Sequence, residues 1–517
     1  YAKLVFDFYK DSMLLLSAEQ SRELDRLAIQ DLGIPEAALM ESAGLNVVLA
    51  MEKEWGVLAG RNVAVLSGKG RNGGDGMVAA RHLANQGSHV VVCVAGPEAE
   101  LSPAAKAQAD IIRRSGLQIV FVVDEASLGL AHSLFRSADL VVDALYGSGF
   151  KGAVTGMSAA LLVSMNAAGH PVVSVDLPSG VDADSGAVRG AAAYAALTVT
   201  FTLPKRGLAL LPGRSYTGKL LVADIGIPVS LASHLKAEVE FFEPLDARQL
   251  IPRRSAQAHK KSAGTLLVVA GSRSYAGAAI LACRAALRSG AGFVRLLAPE
   301  ELVPQLQSAV PEAVVSARSD AAAALKLAHE CHAVVLGPGL GRDEKTLALV
   351  RELYASLPIP TVVDADALFA LGSKPLKAAG ARLLTPHDGE MAGLLGGGHE
   401  KIQSDRLGTA RSYADAASVA LLLKGPATVL AAPGRALSLN ATGSSALATA
   451  GTGDVLAGLC GALMAQGLEA YDAGRLGAFV HGAAADLRCA EKGDTGLTAS
   501  ELIEYLPLAF SQTRGKA

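Results

Sequence analysis

Cysteine, aromatic residues and long apolar runs are all scarce in this chain, and each shortage excludes something. Five cysteines occur in 517 residues, Cys93, Cys283, Cys331, Cys460 and Cys489, an odd number, widely spaced and set in apolar segments. That pattern excludes a disulfide-stapled secreted scaffold and reads as reduced core residues of a cytoplasmic protein. Neither the cysteines nor the 11 histidines fall at metal-ligand spacing. Half of the residues are apolar, yet no run approaches the ~18 residues of a membrane span, so a soluble protein with no membrane partner is expected. Charge of one sign is missing too. With 47 basic and 49 acidic residues interspersed, nothing marks an electrostatic footprint for nucleic acid or an anionic membrane.

Glycine, by contrast, is plentiful: 55 stand against 12 Phe, 10 Tyr and one Trp, as suits many tight turns joining thin alternating elements of an α/β fold. The length exceeds one hydrophobic core, so two or more domains are expected. Residues 1–12 form a ragged apolar and charged lead before Met13, the expected natural start, and read as an added remnant or an upstream extension. From Ser17 a cap signal opens an amphipathic helix through Leu24, Leu27, Ala28 and Leu32, and a second helix follows Pro35.

The strand 62–66 then runs into Gly68-Lys69-Gly70-Arg71-Asn72-Gly73-Gly74-Asp75-Gly76, followed by a helix through Met77, Ala80 and Leu83. Strand, glycine loop and helix in that order form a phosphate-binding context, or a connection made only for packing. Further strands at 89–95, 119–123, 138–144, 171–176, 197–203 and 219–223 predict a mostly parallel sheet covered on both faces. Asp143 and Asp176 end two of them. Each either caps its own loop or, with Asn72 and Ser179, offers hard oxygen ligands to a cation.

A second alternation begins at Gly264, with strands at 265–270, 293–298, 332–336, 360–364, 382–384 and 419–424 and a helix at 277–288. Its strands end in the polar loops Gly337-Pro338-Gly339-Leu340-Gly341, Thr385-Pro386-His387-Asp388-Gly389-Glu390 and Lys424-Gly425-Pro426-Ala427-Thr428. His387 is either a capping residue or a ligand contact. Last comes Ala450-Gly451-Thr452-Gly453-Asp454, where a helix is expected to start at about Asp454. Converging N–H groups and the helix dipole favour phosphate there. Asp454 is then either an N-cap or a base that deprotonates a hydroxyl beside a transferring phosphoryl group.

With these motifs together, residues from about 17 to 228 resemble the epimerase domain of the NAD(P)H-hydrate repair enzymes, the YjeF N-terminal domain. The remainder resembles the partner dehydratase, a ribokinase-like fold. The resemblance implies two three-layer α/β domains, a Rossmann-like sheet over 13–230 and a ribokinase-like sheet over 236–517. It implies epimerisation of R- and S-NAD(P)HX by the first and ADP-driven dehydration of the S form by the second, giving NAD(P)H, AMP and phosphate. Its epimerase substrate positions carry over to Arg71, Asn72, Gly73, Gly74, Asp75, to Gly147, Ser148, Gly149, Phe150, Lys151, Gly152, Ala153, and to Asp176, also the candidate acid/base. Potassium ligands carry over to Asn72, Asp143 and Ser179. Hydrate contacts fall on Ala278, Gly339, His387 and the catalytic base Asp454, and nucleotide contacts on Lys424, Gly425, Pro426, Ala427, Thr428 and Gly453.

Mg²⁺ with ADP as co-substrate, the small molecules NADHX and NADPHX as the other partners, a cytoplasmic location and a homo-oligomer of four or more chains follow from the same likeness. Arg71, Phe150-Lys151-Gly152 and Lys261 depart from the family pattern, Arg71 as a cationic contact to the substrate pyrophosphate or a crowding of the pocket and Lys261 in the backbone shape of its loop. Asp388, Ala446 and Ala450 depart too, each adding a side chain to a loop that must approach phosphates closely. A ribokinase-like small-molecule kinase fused to a non-catalytic binding domain is the alternative.

Overall fold

Runs of valine and leucine closed by glycine or polar loops become buried parallel strands, as their two-sided apolar character dictates. In the computed structural model, which describes residues 13–515 apart from 256 and 258, the first unit covers Leu14–Val239 and the second begins at Glu240. The lead at 1–12 lies outside the described residues.

The first unit holds β1 (Asn62–Ser67), β2 (His89–Ala95), β3 (Gln118–Val122), β4 (Leu140–Ala144), β5 (Val172–Val175), β6 (Leu197–Phe201) and β7 (Lys219–Ala223). They lie in the order β3-β2-β1-β4-β5-β6-β7, every pair parallel. The order reverses between β1 and β4, so a ligand crevice is expected beyond their carboxyl ends. Val63, Val65, Val92 and Val142 pack on one face against α1 (Glu36–Trp55) and α2 (Arg71–Asn85). Ala64, Leu66, Cys93 and Val141 pack on the other against Phe135, Leu161 and Met165.

The second unit repeats this plan with β8 (Val239–Phe242), β9 (Thr265–Val269), β10 (Phe293–Ala298), β11 (Val314–Ala317), β12 (Ala333–Leu336), β13 (Thr361–Val363), β14 (Arg382–Leu384), β15 (Ala420–Leu423), β16 (Val429–Ala431) and β17 (Leu437–Asn440). Ten strands follow in the order β8-β17-β16-β15-β14-β13-β12-β9-β10-β11. From β15 to β11 the pairs are parallel, and β16 and β17 join antiparallel. Here the order reverses between β9 and β12. Leu266, Val268, Val335, Val362 and Leu383 pack against α3 (Ala276–Arg288), α5 (Thr452–Ala465), α6 (Ala470–Lys492) and α7 (Ala499–Arg514), with α4 (Asp388–Leu395) lying between α3 and α5 in sequence. Their neighbours Leu267, Val269, Val334 and Leu384 are buried too and point to the opposite face.

Two helix starts differ from the sequence reading. Arg71–Gly76, read as a loop, forms the opening turns of α2, and α5 starts at Thr452 behind Gly451, whose φ of 90° makes glycine the N-cap residue. Asp454 therefore sits inside the first turn of α5 and is not its cap. Strands β11, β16 and β17 were not expected. All five cysteines are free, four of them buried, and no described helix is long and apolar enough to cross a membrane.

Two candidate active sites at the strand ends

At the first reversal, glycines let α2 press onto the strand ends. A Cβ on Gly68 would fall 1.9 Å from the Leu145 carbonyl oxygen, and one on Gly73 2.0 Å from the Gly68 oxygen. This close approach carries Asn72 to the loop after β4. A Cβ on Gly147 would lie 3.0 Å from Asn72 Oδ1 and 3.1 Å from Asp176 Oδ2, so three separate segments meet at that glycine. The Nδ2 of Asn72 is buried without a partner among the described residues, a donor waiting for an acceptor.

Asp143, at the end of β4, is fully buried. Its Oδ1 accepts from Ser179 Oγ at 2.6 Å, and its Oδ2 accepts from Ser174 Oγ at 2.8 Å and the Ser179 amide at 2.9 Å. Burial lifts its carboxyl above the ordinary range while the serine bonds pull it back. Asp176 holds a left-handed backbone, φ 68°. Its Oδ2 accepts from the Ser148 amide at 3.0 Å, and its Oδ1 accepts from the ammonium of Lys205 and from Thr200 Oγ1 at 3.3 Å.

Nearby, burial pushes Asp25 up to about 6. Burial, and then the charges of Asp176, Asp25 and Glu36, raise Asp75 well above its usual range. Arg71 has committed its guanidinium to Glu36 at 2.5 Å. Phe150 stacks on Tyr146 with ring centroids 4.4 Å apart, tethering the Gly147–Ala153 loop, while Gly149, Lys151, Gly152 and Ala153 are exposed.

The second site gathers around the start of α5. Again glycines set the approach, since a Cβ on Gly458 would meet the Ala282 carbonyl oxygen at 2.1 Å. A Cβ on Gly453 would lie 3.4 Å from Lys424 Nζ and 4.0 Å from Asp364 Oδ2. Lys424 donates to Asp364 Oδ1 at 2.9 Å, where Thr385 Oγ1 also donates at 2.8 Å, and its Nζ lies 3.6 Å from Glu390 Oε2. Burial works against this ammonium, but Asp364, Glu390 and Asp454 outweigh it and hold it above its ordinary range. Burial, with the negative charge of Asp364 next, pushes Asp454 up to about 7 against the pull of Lys424.

Ala278 and Gly339 touch: a Cβ on Gly339 would lie 2.9 Å from that of Ala278. His387 caps α4, its Nδ1 accepting from the amides of Gly389 at 3.0 Å and Glu390 at 3.2 Å, with the imidazole otherwise exposed. The turn 425–428 is strained at Ala427, φ 55°, and Thr428 Oγ1 closes it by donating to the Gly425 oxygen at 3.1 Å. Beneath α5, the buried His481 shares a hydrogen bond of 2.9 Å between Nε2 and the Thr452 carbonyl, and burial lowers it to about 4. A neutral ring therefore donates to that carbonyl.

Sequence reasoning gave no role to Lys205, Asp364, Glu390 or His481. The signal for the two acids was their place at strand-end loops. Lys205 and His481 show their partners only in the fold.

Residues 36–207 match the family model described as YjeF-related protein N-terminus, and residues 266–508 match that described as NAD(P)H-hydrate dehydratase. A bifunctional NAD(P)H-hydrate repair enzyme of Moorella thermoacetica is 41% identical over 509 residues, covering 96% of each chain. The chain belongs to the bifunctional NAD(P)H-hydrate repair enzyme family. A second member, from Thermofilum pendens, is 37% identical and covers 97% of each chain. Among solved structures, the ADP/ATP-dependent NAD(P)H-hydrate dehydratase of Bacillus subtilis is 31% identical with a TM-score of 0.48, over 53% of this chain and 98% of that one.

Two departures from the family pattern find a structural setting. Asp388 pairs with Arg406, which donates to the Lys424 carbonyl at 2.9 Å and so supports the 424–428 turn. Lys261 is exposed and outside the left-handed region, so the loop needs no glycine there.

Proposed function

We propose that the first unit interconverts R- and S-NAD(P)HX and that the second dehydrates the S form at the expense of ADP. The observation carrying this reading is the pairing, in one chain related to repair enzymes along its length, of two strand-end sites each built on a carboxylate beside a glycine-supported helix start. Asp454 serves as base in the second site. It takes the proton of the C6 hydroxyl, whose oxygen attacks the terminal phosphoryl group of ADP as AMP leaves. Phosphate is a better leaving group than hydroxide. Its departure takes the C–O electron pair, the ring nitrogen lone pair forms the C=N bond, and loss of a proton from C5 restores the reduced nicotinamide.

The amides at the start of α5 and the turn 424–428, with Gly453, hold the nucleotide phosphates. Ala278, Gly339 and His387 contact the hydrate. Among the described residues no three carboxylate, imidazole or thiol groups converge on one metal-sized point. Asp364 and Glu390, which lie beside Lys424, would hold Mg²⁺ with the nucleotide, as suits an ion that keeps few protein ligands. When bound, it supplies charge neutralisation of the transferring group.

In the first unit Asn72, Gly147 and Asp176 line the substrate cleft, together with the rest of Arg71–Asp75 and Gly147–Ala153. Asp143, Ser179 and Asn72 suit potassium: their oxygens are hard donors, and the buried Asp143 is held by the hydroxyls of Ser174 and Ser179 and the Ser179 amide. The cytoplasm and a homo-oligomer of four or more chains complete the reading. Incubation with S-NADHX and ADP is expected to yield NADH, AMP and phosphate in equal amounts. A stable phosphorylated product instead would overturn the dehydratase reading in favour of a kinase.

A further inference from the structure

Three acidic side chains and one lysine crowd the floor of the first site, and their arrangement is unequal. Asp176 comes from the end of β5, Lys205 from the loop after β6, Asp75 from α2 and Asp25 from the helix Ala18–Arg26. The Lys205 side chain is 2% exposed, and its ammonium reaches Asp176 Oδ1, Thr200 Oγ1 at 3.2 Å and the Phe201 carbonyl at 3.3 Å. The other oxygen, Oδ2, faces the Ser148 amide in the substrate loop.

We propose that Lys205 is a positioning residue for the epimerase reaction: its buried ammonium holds the Asp176 carboxyl group in place with one oxygen turned to the substrate loop. This rests on the epimerase reading of the first unit. A buried charge needs its partner, and a lysine so enclosed would not be kept for surface solubility. Burial first, and then the charges of Asp176, Asp25 and Glu36 against the pull of Arg71, raise the Asp75 carboxyl well above its usual range. Two carboxyl groups in different surroundings can divide the work of acid and base between them.

The reaction needs both. Asp75 gives its proton to the C6 hydroxyl, the C6–O bond breaks with its electron pair leaving in water, and the ring nitrogen lone pair forms the C6=N1 bond. Water then adds to the opposite face, its oxygen lone pair forming the new C6–O bond while the C6=N1 electrons return to nitrogen. Asp176 takes the released proton, which returns to Asp75 before the next turnover.

The test measures R-to-S interconversion of NADHX by the full chain without ADP, so that the second site is idle. Lys205→Gln keeps a hydrogen-bond donor of similar length and removes the charge, while Lys205→Arg keeps the charge. The expected result is a fall in kcat of about 100-fold or more for the glutamine variant with KM within about threefold, and partial recovery of kcat in the arginine variant. A glutamine variant with wild-type kcat, or one whose loss lies wholly in KM, overturns the inference. An equal fall in both variants, with no recovery by arginine, also overturns it, since shape and not charge would then be what matters. A wild-type chain that leaves the epimers unmixed overturns the epimerase reading itself, and this inference with it.

Discussion

Asp454 shows how a single residue's surroundings fix its chemistry. Set in the first turn of α5 and not at its cap, it is half-buried, with burial and then the charges of Asp364, Asp366 and Glu390 raising its carboxyl and that of Lys424 lowering it. A base must be deprotonated to act, and with a value near 7 the group is half-ionised at neutral pH. The dehydratase kcat/KM is therefore expected to rise about tenfold per pH unit below 7 and to level off above it. A pH–rate profile between about 5 and 9 checks this, and a flat profile would remove Asp454 from the role of titrating base. Lys424 acts on the carboxyl groups in this setting. Its ammonium holds Asp364 and tempers the burial that would otherwise keep Asp454 protonated.

At the scale of elements, α2 begins against a strand-end loop closer than any side chain would permit, and α5 presses on α3 at Gly458, where a Cβ would meet the Ala282 carbonyl oxygen at 2.1 Å. Gly73→Ala would place a Cβ 2.0 Å from the Gly68 carbonyl oxygen, a backbone atom that cannot rotate away. The start of α2 must shift, at a cost of about 1–3 kcal/mol. Because that turn also carries Asn72, epimerase activity is expected to fall while dehydratase activity stays near wild type. Urea unfolding and the two separate assays measure this, and an unchanged epimerase would contradict it. The same packing explains what the sequence reading missed. Gly73, Gly74 and Gly76 are poor helix formers, so Arg71–Gly76 reads as a loop until the strand behind it is seen to demand glycine.

The valine-rich parallel strands and the loops at their ends were legible, because burial on both faces leaves an unbroken apolar run. Strands β11, β16 and β17, of three or four residues, were too short to carry a period. Lys205 was hidden for another reason. It stands 29 residues from Asp176, and only the pairing of β5 with β6 brings them together. Asp364 and Lys424, 60 residues apart, meet in the same way through the ladder β13-β14-β15.

At the scale of the whole molecule, two sheets each reverse their strand order, and each carries a different carboxylate site beside a glycine-bearing helix start. A dehydratase selective for one hand at C6 strands the other, and an epimerase on the same chain returns it in equal supply. The decisive measurement is absorbance near 340 nm after a mixture of both NADHX epimers is added with ADP, Mg²⁺ and K⁺, for the wild type, Asp454→Asn and Asp176→Asn. The account predicts full recovery of NADH by the wild type, none by Asp454→Asn, and recovery by Asp176→Asn that halts at the S fraction apart from the slow spontaneous exchange. Wild-type recovery that stops at the S fraction would contradict the epimerase assignment, and no recovery with ADP would contradict the account at its centre.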